Sequence, residues 1–295
     1  MKRLHLLILI SFCLIFNSLT LSAKKGEIKL RLYRGTPFIY LITQESTIKE
    51  NPLDEPMLKQ KTSLKVKHEV KEILGNGDAV MEASIVSFGL QLNYNGKASS
   101  YHSDTVNVRN PYYKSLNFLS QIKLSYTVSP NGEVSKLTGF ESIKKKMEED
   151  SQLSGLLRSF GSEQFILEFF NFIPQKAVES GDKWIRSGIL PDMMNLKYDI
   201  QYSLKEITEK DIKLTRQAYF KTTTATTKPD GTEGEIKQRG TQKGSMTVDT
   251  KAHMLVSSET DQQLELFLPG KEKKADEKAV PIKITTHTKV ERVKK

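Results

Sequence analysis

Apolar and polar side chains alternate with a period of two along most of this chain. The cleanest run sets Leu196, Tyr198, Ile200, Tyr202 and Leu204 against Lys197, Asp199, Gln201, Ser203 and Lys205. Successive side chains of a strand point to opposite faces, so the run predicts a strand with one dry and one wet face. Leu64–Val70, Ile122–Val128 and Val280–Val290 alternate in the same way, and Gly35–Ser46 is rich in β-branched and aromatic residues. Turn signals follow several of these runs: Asn76-Gly77-Asp78, Pro130-Asn131-Gly132 and Glu209-Lys210-Asp211. Ala79–Leu92, Val134–Phe140 and Ile212–Thr223 are the returning strands. Gly244–Asp249 and Met254–Thr260 make a further hairpin, and Gln263–Leu268 another strand. Asn95–Asn110, Thr226–Gly240 and Pro269–Lys278 are polar or charged and are predicted as loops.

One stretch breaks this period. Between Phe140 and Trp184, apolar residues fall at Leu153, Leu156, Leu157 and Phe160, then at Phe165, Phe169, Phe170 and Ile173. Steps of three and four predict a helix over Glu141–Ile173, stopped by Pro174. Gly181-Asp182-Lys183-Trp184, with the only tryptophan, then opens a new strand at Lys183–Ile189. The chain divides into a first β-meander half (24–139), a helical segment (140–176) and a second half (177–295), whose hairpins follow in a similar order. The fold class is α+β, predominantly antiparallel: a strongly curved sheet or half-barrel from two repeated meander halves, with helix in its concavity. A closed outer-membrane barrel is the rival. Its outward positions face lipid, whereas here they are mostly Lys, Glu, Gln and Ser, and a mid-chain helix does not belong in it.

The amino terminus adds an address. Met1-Lys2-Arg3 precedes the mostly apolar Leu4–Leu21 and then Ser22-Ala23-Lys24-Lys25, so Met1–Ala23 reads as a secretory signal peptide, cut after Ser22 or Ala23. A membrane anchor is the competing reading, but His5, Ser11, Asn17 and Ser18 interrupt the run, which falls short of the ~20 apolar residues of a span. The only cysteine, Cys13, lies inside the run rather than at its end, where a lipoprotein signal needs it. Loss of the signal leaves no thiol for a disulfide, a nucleophile or a metal ligand. The formal charge of +10 sits in short runs such as Lys144-Lys145-Lys146 and Arg292–Lys295, several with acids close by. That is a solvated surface rather than a nucleic-acid footprint.

Candidate chemistry is sparse. His68, His102, His253 and His287 show no metal-site spacing. His68 falls on the apolar side of its strand, and only His102 has a surface-site setting, in a Ser/Tyr-rich segment. No Gly-x-Ser-x-Gly elbow or phosphate-cradling glycine loop occurs. Glu148-Glu149-Asp150 reads as helix-surface ion pairing with Lys144–Lys146, and Asp182 as a turn residue. No cofactor is indicated. The most suggestive feature is the aromatic face of the predicted helix, for which two readings stand: core between helix and sheet, or lining of an apolar cavity.

A likeness enters on three short matches: Gly35 with Tyr40, the turn Asn131-Gly132-Glu133-Val134 leading to Leu137-Thr138-Gly139, and Gly181-Asp182-Lys183-Trp184. With the signal and two meanders, the layout resembles secreted bacterial proteins of uncharacterised function. In architecture it is similar to periplasmic lipoprotein carriers and related lipid-binding proteins, whose curved sheet closes over an apolar ligand. The resemblance implies a non-enzymatic protein of the periplasm or cell envelope of a Gram-negative-type bacterium, binding an apolar or lipid ligand or a lipidated partner. Phe165, Phe169, Phe170 and Trp184 are its candidate ligand-binding residues. The alternative is an envelope or surface protein that binds an acidic or host partner through polar basic loops.

Overall fold

A computed structural model describes residues 26–50, 55–104, 115–149, 164–190, 196–227, 233–268 and 281–293. The Met1–Ala23 pattern and Leu153–Phe160 lie outside the described residues. The strands are β1 (Pro37–Lys49), β2 (Leu58–Ile73), β3 (Ala79–Tyr94), β4 (Lys97–His102), β5 (Lys123–Val128) and β6 (Val134–Thr138). After them come β7 (Lys183–Leu190), β8 (Leu196–Ile207), β9 (Asp211–Thr227), β10 (Glu233–Asp249), β11 (Leu255–Phe267) and β12 (Ile282–Val293). The helices α1 (Glu141–Glu149) and α2 (Gln164–Leu167) are short, and a 3-10 turn spans Ser115–Gln121.

All strands belong to one antiparallel sheet in the order β6-β5-β3-β2-β1-β12-β11-β10-β9-β8-β7, with β4 beside the far half of β3. Each half of the chain is therefore a meander of consecutive neighbours. The halves join where β1 pairs with β12, from Ile39↔Val293 to Lys49↔Lys283. The sheet is curved but open, so the closed barrel is not the fold.

The curvature follows from what its two wings touch. From β5 to β9 is seven strand spacings, ~34 Å if the sheet were flat. Yet Phe170 packs on Tyr126 of β5 (ring centroids 5.8 Å apart), and Glu168, two residues earlier, bonds Arg216 of β9 at 2.6 Å. The sheet wraps the segment between them, Gln164–Pro174, which forms a plug. Gly240 and Gly244 make the bend at β10 feasible. A methyl on either would press into the carbonyl of Gln263 or Glu259 on β11, so the strands approach closely only because no Cβ is there. Register shifts at Lys65/Val66, Val70/Glu72, Leu204/Glu206 and Thr247/Val248 add twist near the plugged end.

One end is closed. The extended segment Gly26–Leu32 straps across the turns there: Gly26 bridges Val178, Leu30 N bonds Pro130 O, and Arg31 N bonds Ala252 O. His253 Nδ1 sits 2.6 Å from the Lys29 carbonyl. Ile28, Phe38, Tyr40, Val66, Met81, Tyr126, Phe170, Leu204 and Val248 fill this end as one buried core.

Several expectations change. The helix predicted over Glu141–Ile173 does not extend to Ile173: α1 and the single turn α2 fall within it, residues 150–163 lie outside the described residues, and Glu168–Ile173 runs through tight turns such as Ile173 N to Phe170 O. Phe169, Phe170, Phe172 and Ile173 are all buried, with no wet face left between them. A segment enclosed on all sides needs no amphipathic stripe, so tertiary packing overrides the period. Two predicted loops contain strand: Asn95–Asn110 includes β4, and Thr226–Gly240 includes the end of β9 and the start of β10. The strands predicted at Met254–Thr260 and Gln263–Leu268 are one, β11.

Candidate functional site

The pairing register assigns every strand residue to the inner face, against the plug, or the outer one, because directly opposed residues share a face. Along the inner face the side chains change character from the closed end outward. Tyr40 and Ile42, with Leu64, Val66, Phe88, Val290 and Met246, belong to the core or pack against it. Next comes the row Thr62–Gln44–Thr288–Thr260–Gly244–Arg216–Tyr202, and beside it Gln60–Ser46–Thr286–Gln262–Gln242. Beyond them Leu58, Ile48, Ile284, Leu264, Phe220 and Tyr198 share a row, of which the first three stay half-exposed and the last three are buried.

These two middle rows form a belt of hydroxyls and amides. Between β2 and β7 the only charged side chains in them are Arg216 and Arg186, and both are held by the plug. Arg216 is 4% exposed; Nη1 and Nη2 donate to the Glu168 carboxylate at 2.6 and 3.3 Å, and Nη2 also to Gln242 Oε1 at 2.6 Å. Burial works against its charge, but the neighbouring Glu168 outweighs that and holds the guanidinium above its ordinary range. Arg186 donates to the carbonyls of Ile173 and Asn131, tying β7 to the β5–β6 turn across the gap between the sheet's edges.

The outer face is the opposite. Lys61 pairs with Glu45 at 2.8 Å, Arg239 with Glu265 at 2.6 Å and Lys213 with Glu206 at 2.7 Å. His287 lies 2.8 Å from Asp261. Two clefts, of about 590 and 280 Å3, are lined mostly by such outward residues, Lys59, Lys61 and Glu45 in one and Tyr219, Arg239 and Glu265 in the other.

The four candidate ligand residues lie on or beside the plug but do not share one exposed face. Phe169 packs against His68 (4.4 Å) and Tyr40 (4.9 Å), and Phe170 is fully buried. Phe165 is half-buried, edge-on to Phe169. Trp184 stacks on Tyr202 (5.9 Å), and its Nε1 donates to Phe172 O at 3.0 Å. Phe169 and Phe170 are thus plug core, and only Phe165 and Trp184 keep accessible surface.

His68 is buried beside Tyr126, its Nδ1 2.7 Å from the phenol oxygen, and burial pushes its pKa down to about 3. Burial also raises the Tyr126 and Tyr40 phenols, and Tyr40 OH donates to Leu255 O at 3.0 Å. His102 does have a hydroxyl and a carboxylate next to it, Ser103 and Asp104. Ser103 Oγ, however, accepts from Phe88 N and donates to Asp104, while Asp104 N donates to His102 Nδ1. That is an exposed turn network, in which the serine is bonded to the acid rather than to the imidazole. Asp182 closes its turn by accepting from Glu179 N, and Glu149 pairs with Lys146 on α1. Among the described residues no cluster of His, Cys, Asp and Glu converges to hold a metal.

Sequence reading missed the belt because its signal is not hydrophobic. It is a period of two in charge: Lys237-Gln238-Arg239-Gly240-Thr241-Gln242-Lys243-Gly244, or Lys59-Gln60-Lys61-Thr62, with charges outward and neutral residues inward.

These features define a class: a half-barrel of one antiparallel sheet, plugged at one end, with a concave face whose charges, among the described residues of its two middle rows, are the plug-held Arg216 and Arg186. Residues 76–255, more than half the chain, match DUF6263, a family of unknown function, and the protein belongs to that family. The matched region runs from the β2–β3 turn to the start of β11. No curated protein matches the sequence. No helix among the described residues is long and apolar enough to cross a membrane.

Proposed function

We propose that this is a non-catalytic, exported protein of the cell envelope that holds an apolar or amphipathic molecule, such as a lipid or the acyl chain of a lipidated partner, against the inner face of its sheet. The observation that carries the reading is the contrast between faces. Half-exposed Ile48, Leu58 and Ile284 adjoin a belt free of uncompensated charge, whereas Lys, Arg, Asp and Glu crowd the outer side. Concave apolar surface with a few polar groups is the usual form of a small-molecule site. Export rests on the Met1–Ala23 pattern. The site lies at the open end of the strands, bordered by the plug, rather than on the whole aromatic face of the plug itself.

The competing reading, a basic surface for an acidic partner, draws less support. Many outer cations already face acids, as in Lys61–Glu45, Arg239–Glu265 and Lys289–Glu291. Native mass spectrometry of the protein from its own envelope, with organic extraction, tests the proposal. A stoichiometric apolar molecule is the expected result. A clean apo mass that stays unchanged after incubation with phospholipid vesicles overturns it.

A further inference from the structure

Acids and bases pair along most of the outer face, but not at its far end. Lys289 stands opposite Glu259, and Lys61, Glu45, Asp261 and Lys243 share a row through His287, with two charges of each sign. Four residues further along the strands, the row Lys221–Arg239–Glu265–Lys283–Lys49 sets four cations against one acid. Arg239 and Lys283 both turn to Glu265, at 2.6 and 3.7 Å. Among the described residues, Lys49, Lys59 and Lys221 have no ion-pair partner. Between the balanced row and the basic one lie Thr241, Gln263, Thr285 and Thr47, in a row that continues to Tyr219 on β9 and Lys59 on β2. Long charged side chains on both sides make these shorter, neutral ones the floor of a trough. The two outer clefts are its ends. Tyr219, Thr241, Gln263 and Thr285 line the one of about 280 Å3, and Thr47 and Lys59 the one of about 590 Å3. The trough crosses six strands, ~24 Å from β9 to β2. Tyr219, at its end, is 60% exposed.

We infer that this trough binds a linear acidic glycan, a chain of uronic acids or other anionic sugars. Its length and recessed shape suit a single extended chain rather than a flat bilayer or a folded protein. Floor groups recur at every strand spacing, about 4.8 Å, close to the advance of one pyranose ring. Hydroxyl and amide side chains exchange hydrogen bonds with sugar hydroxyls, and an open phenol ring such as Tyr219 packs on the C–H face of a sugar. Carboxylates along the chain complement Lys49, Lys59 and Lys221, which lack acids of their own. Each exposed pair contributes little alone, so several in line are needed and the binding weakens as salt rises. A neutral glycan leaves those cations unused, and an acidic peptide has charge but no array of hydroxyls for the floor. The trough lies on the opposite side of the sheet from the half-exposed apolar surface, so it stands independently of the proposed function.

The test titrates the mature protein, by calorimetry, with an octamer of galacturonic acid, the methyl ester of that octamer, and octaglutamate. The expected result is that the galacturonate octamer binds about 10-fold or more tightly than either comparison, and less tightly at higher salt. Lys49→Gln combined with Lys221→Gln weakens it roughly 10-fold and Tyr219→Ala roughly 3- to 10-fold, whereas Tyr219→Phe, which keeps the ring, retains it. None of these surface changes lowers the melting temperature. Lys237→Gln leaves binding as it is, because Lys237 lies beyond the trough and already faces Glu235 at 3.5 Å. No binding of the octamer, or binding that neither the lysine pair nor Tyr219→Ala weakens, overturns the inference. So does equal binding of the ester, which shows that charge is not read, or of octaglutamate, which puts an acidic peptide in the trough. The inner face is untouched by any of these outcomes, since its apolar ligand is measured separately.

Discussion

Along β1, Phe38 and Tyr40 are almost completely buried, whereas Ile48, on the same face of the same strand, is half-exposed. The same change runs through β2, from Val66 and His68 to Leu58. At the closed end the sheet has a second layer, made by the plug and the Gly26–Leu32 strap. At the far ends of β1, β2 and β12 the inner face is only half-covered, and the strands are held by the backbone ladder, by contacts such as Ser46 Oγ with Thr286 Oγ1 at 3.1 Å, and by outer-face ion pairs, whereas Tyr198, Phe220 and Leu264 at the same level on β8, β9 and β11 stay buried. Surface ion pairs contribute little individually, a median of about 0–1 kcal/mol. Stability therefore resides at the closed end, and the open end is free to present a surface.

The largest test of that contrast is Phe169→Ala. It empties the space between Tyr40, His68 and Phe165, and a loss of about 3–5 kcal/mol is expected in urea unfolding. A loss below about 1 kcal/mol refutes the view that the plug organises the closed end.

Acid comes next. The ordinary histidine pKa is about 6.5, and burial holds His68 down to about 3. Between those values the unfolded chain takes up a proton that the native state refuses. This contribution is complete above about pH 6.5 and declines as pH falls, by about 1.4 kcal/mol per unit, so that roughly 3 kcal/mol or slightly more is lost by pH 4. His253, also depressed by burial, adds in the same direction. His68→Asn keeps a polar partner for Tyr126 and removes the titration, so its stability should fall less between pH 7 and 4. Parallel pH profiles for the two proteins would discard this account.

Gly244→Ala probes the bend between the two regions. In an ordinary strand alanine is the better residue, but here its methyl meets the Glu259 carbonyl and Thr260. A destabilisation of about 1–3 kcal/mol is expected, and a gain in melting temperature would show that β10 and β11 are not so closely apposed. The smallest effect belongs to Ile284→Ala at the open end: less than about 1 kcal/mol, because a half-exposed side chain has less transfer energy to lose. Reduced uptake of the proposed apolar ligand, rather than reduced stability, is its expected signature.

How much was legible in the sequence varies along the same axis. β2, β8 and the first part of β9 border the core and have a dry face, so Leu64–Val70 and Leu196–Leu204 announce themselves by alternation. The start of β10 has an inner face that is half-buried to buried but is made of Gly234, Ile236, Gln238 and Gly240, with a single apolar side chain, and Glu233–Gly240 therefore reads as loop. The aromatic cluster Phe165–Phe172 was visible as a place where chemistry concentrates. Its division into buried plug (Phe169, Phe170) and partly accessible margin (Phe165, Trp184) was not, because burial depends on which strands arrive from elsewhere. Arg216 and Glu168 stand 48 residues apart and carry no mark of their pairing.

By itself the sequence determined the antiparallel meander, because turn residues and a period of two are local properties of the chain. It also determined that charge and neutral side chains would part to opposite faces, since that too is alternation. Only the tertiary structure decided that β1 and β12 join the two halves, that an apparent helix is a plug, and that Thr62, Arg216 and Tyr202 come onto one row. Those facts depend on the register of six or more strands summed around a curve, and no local pattern records such a sum.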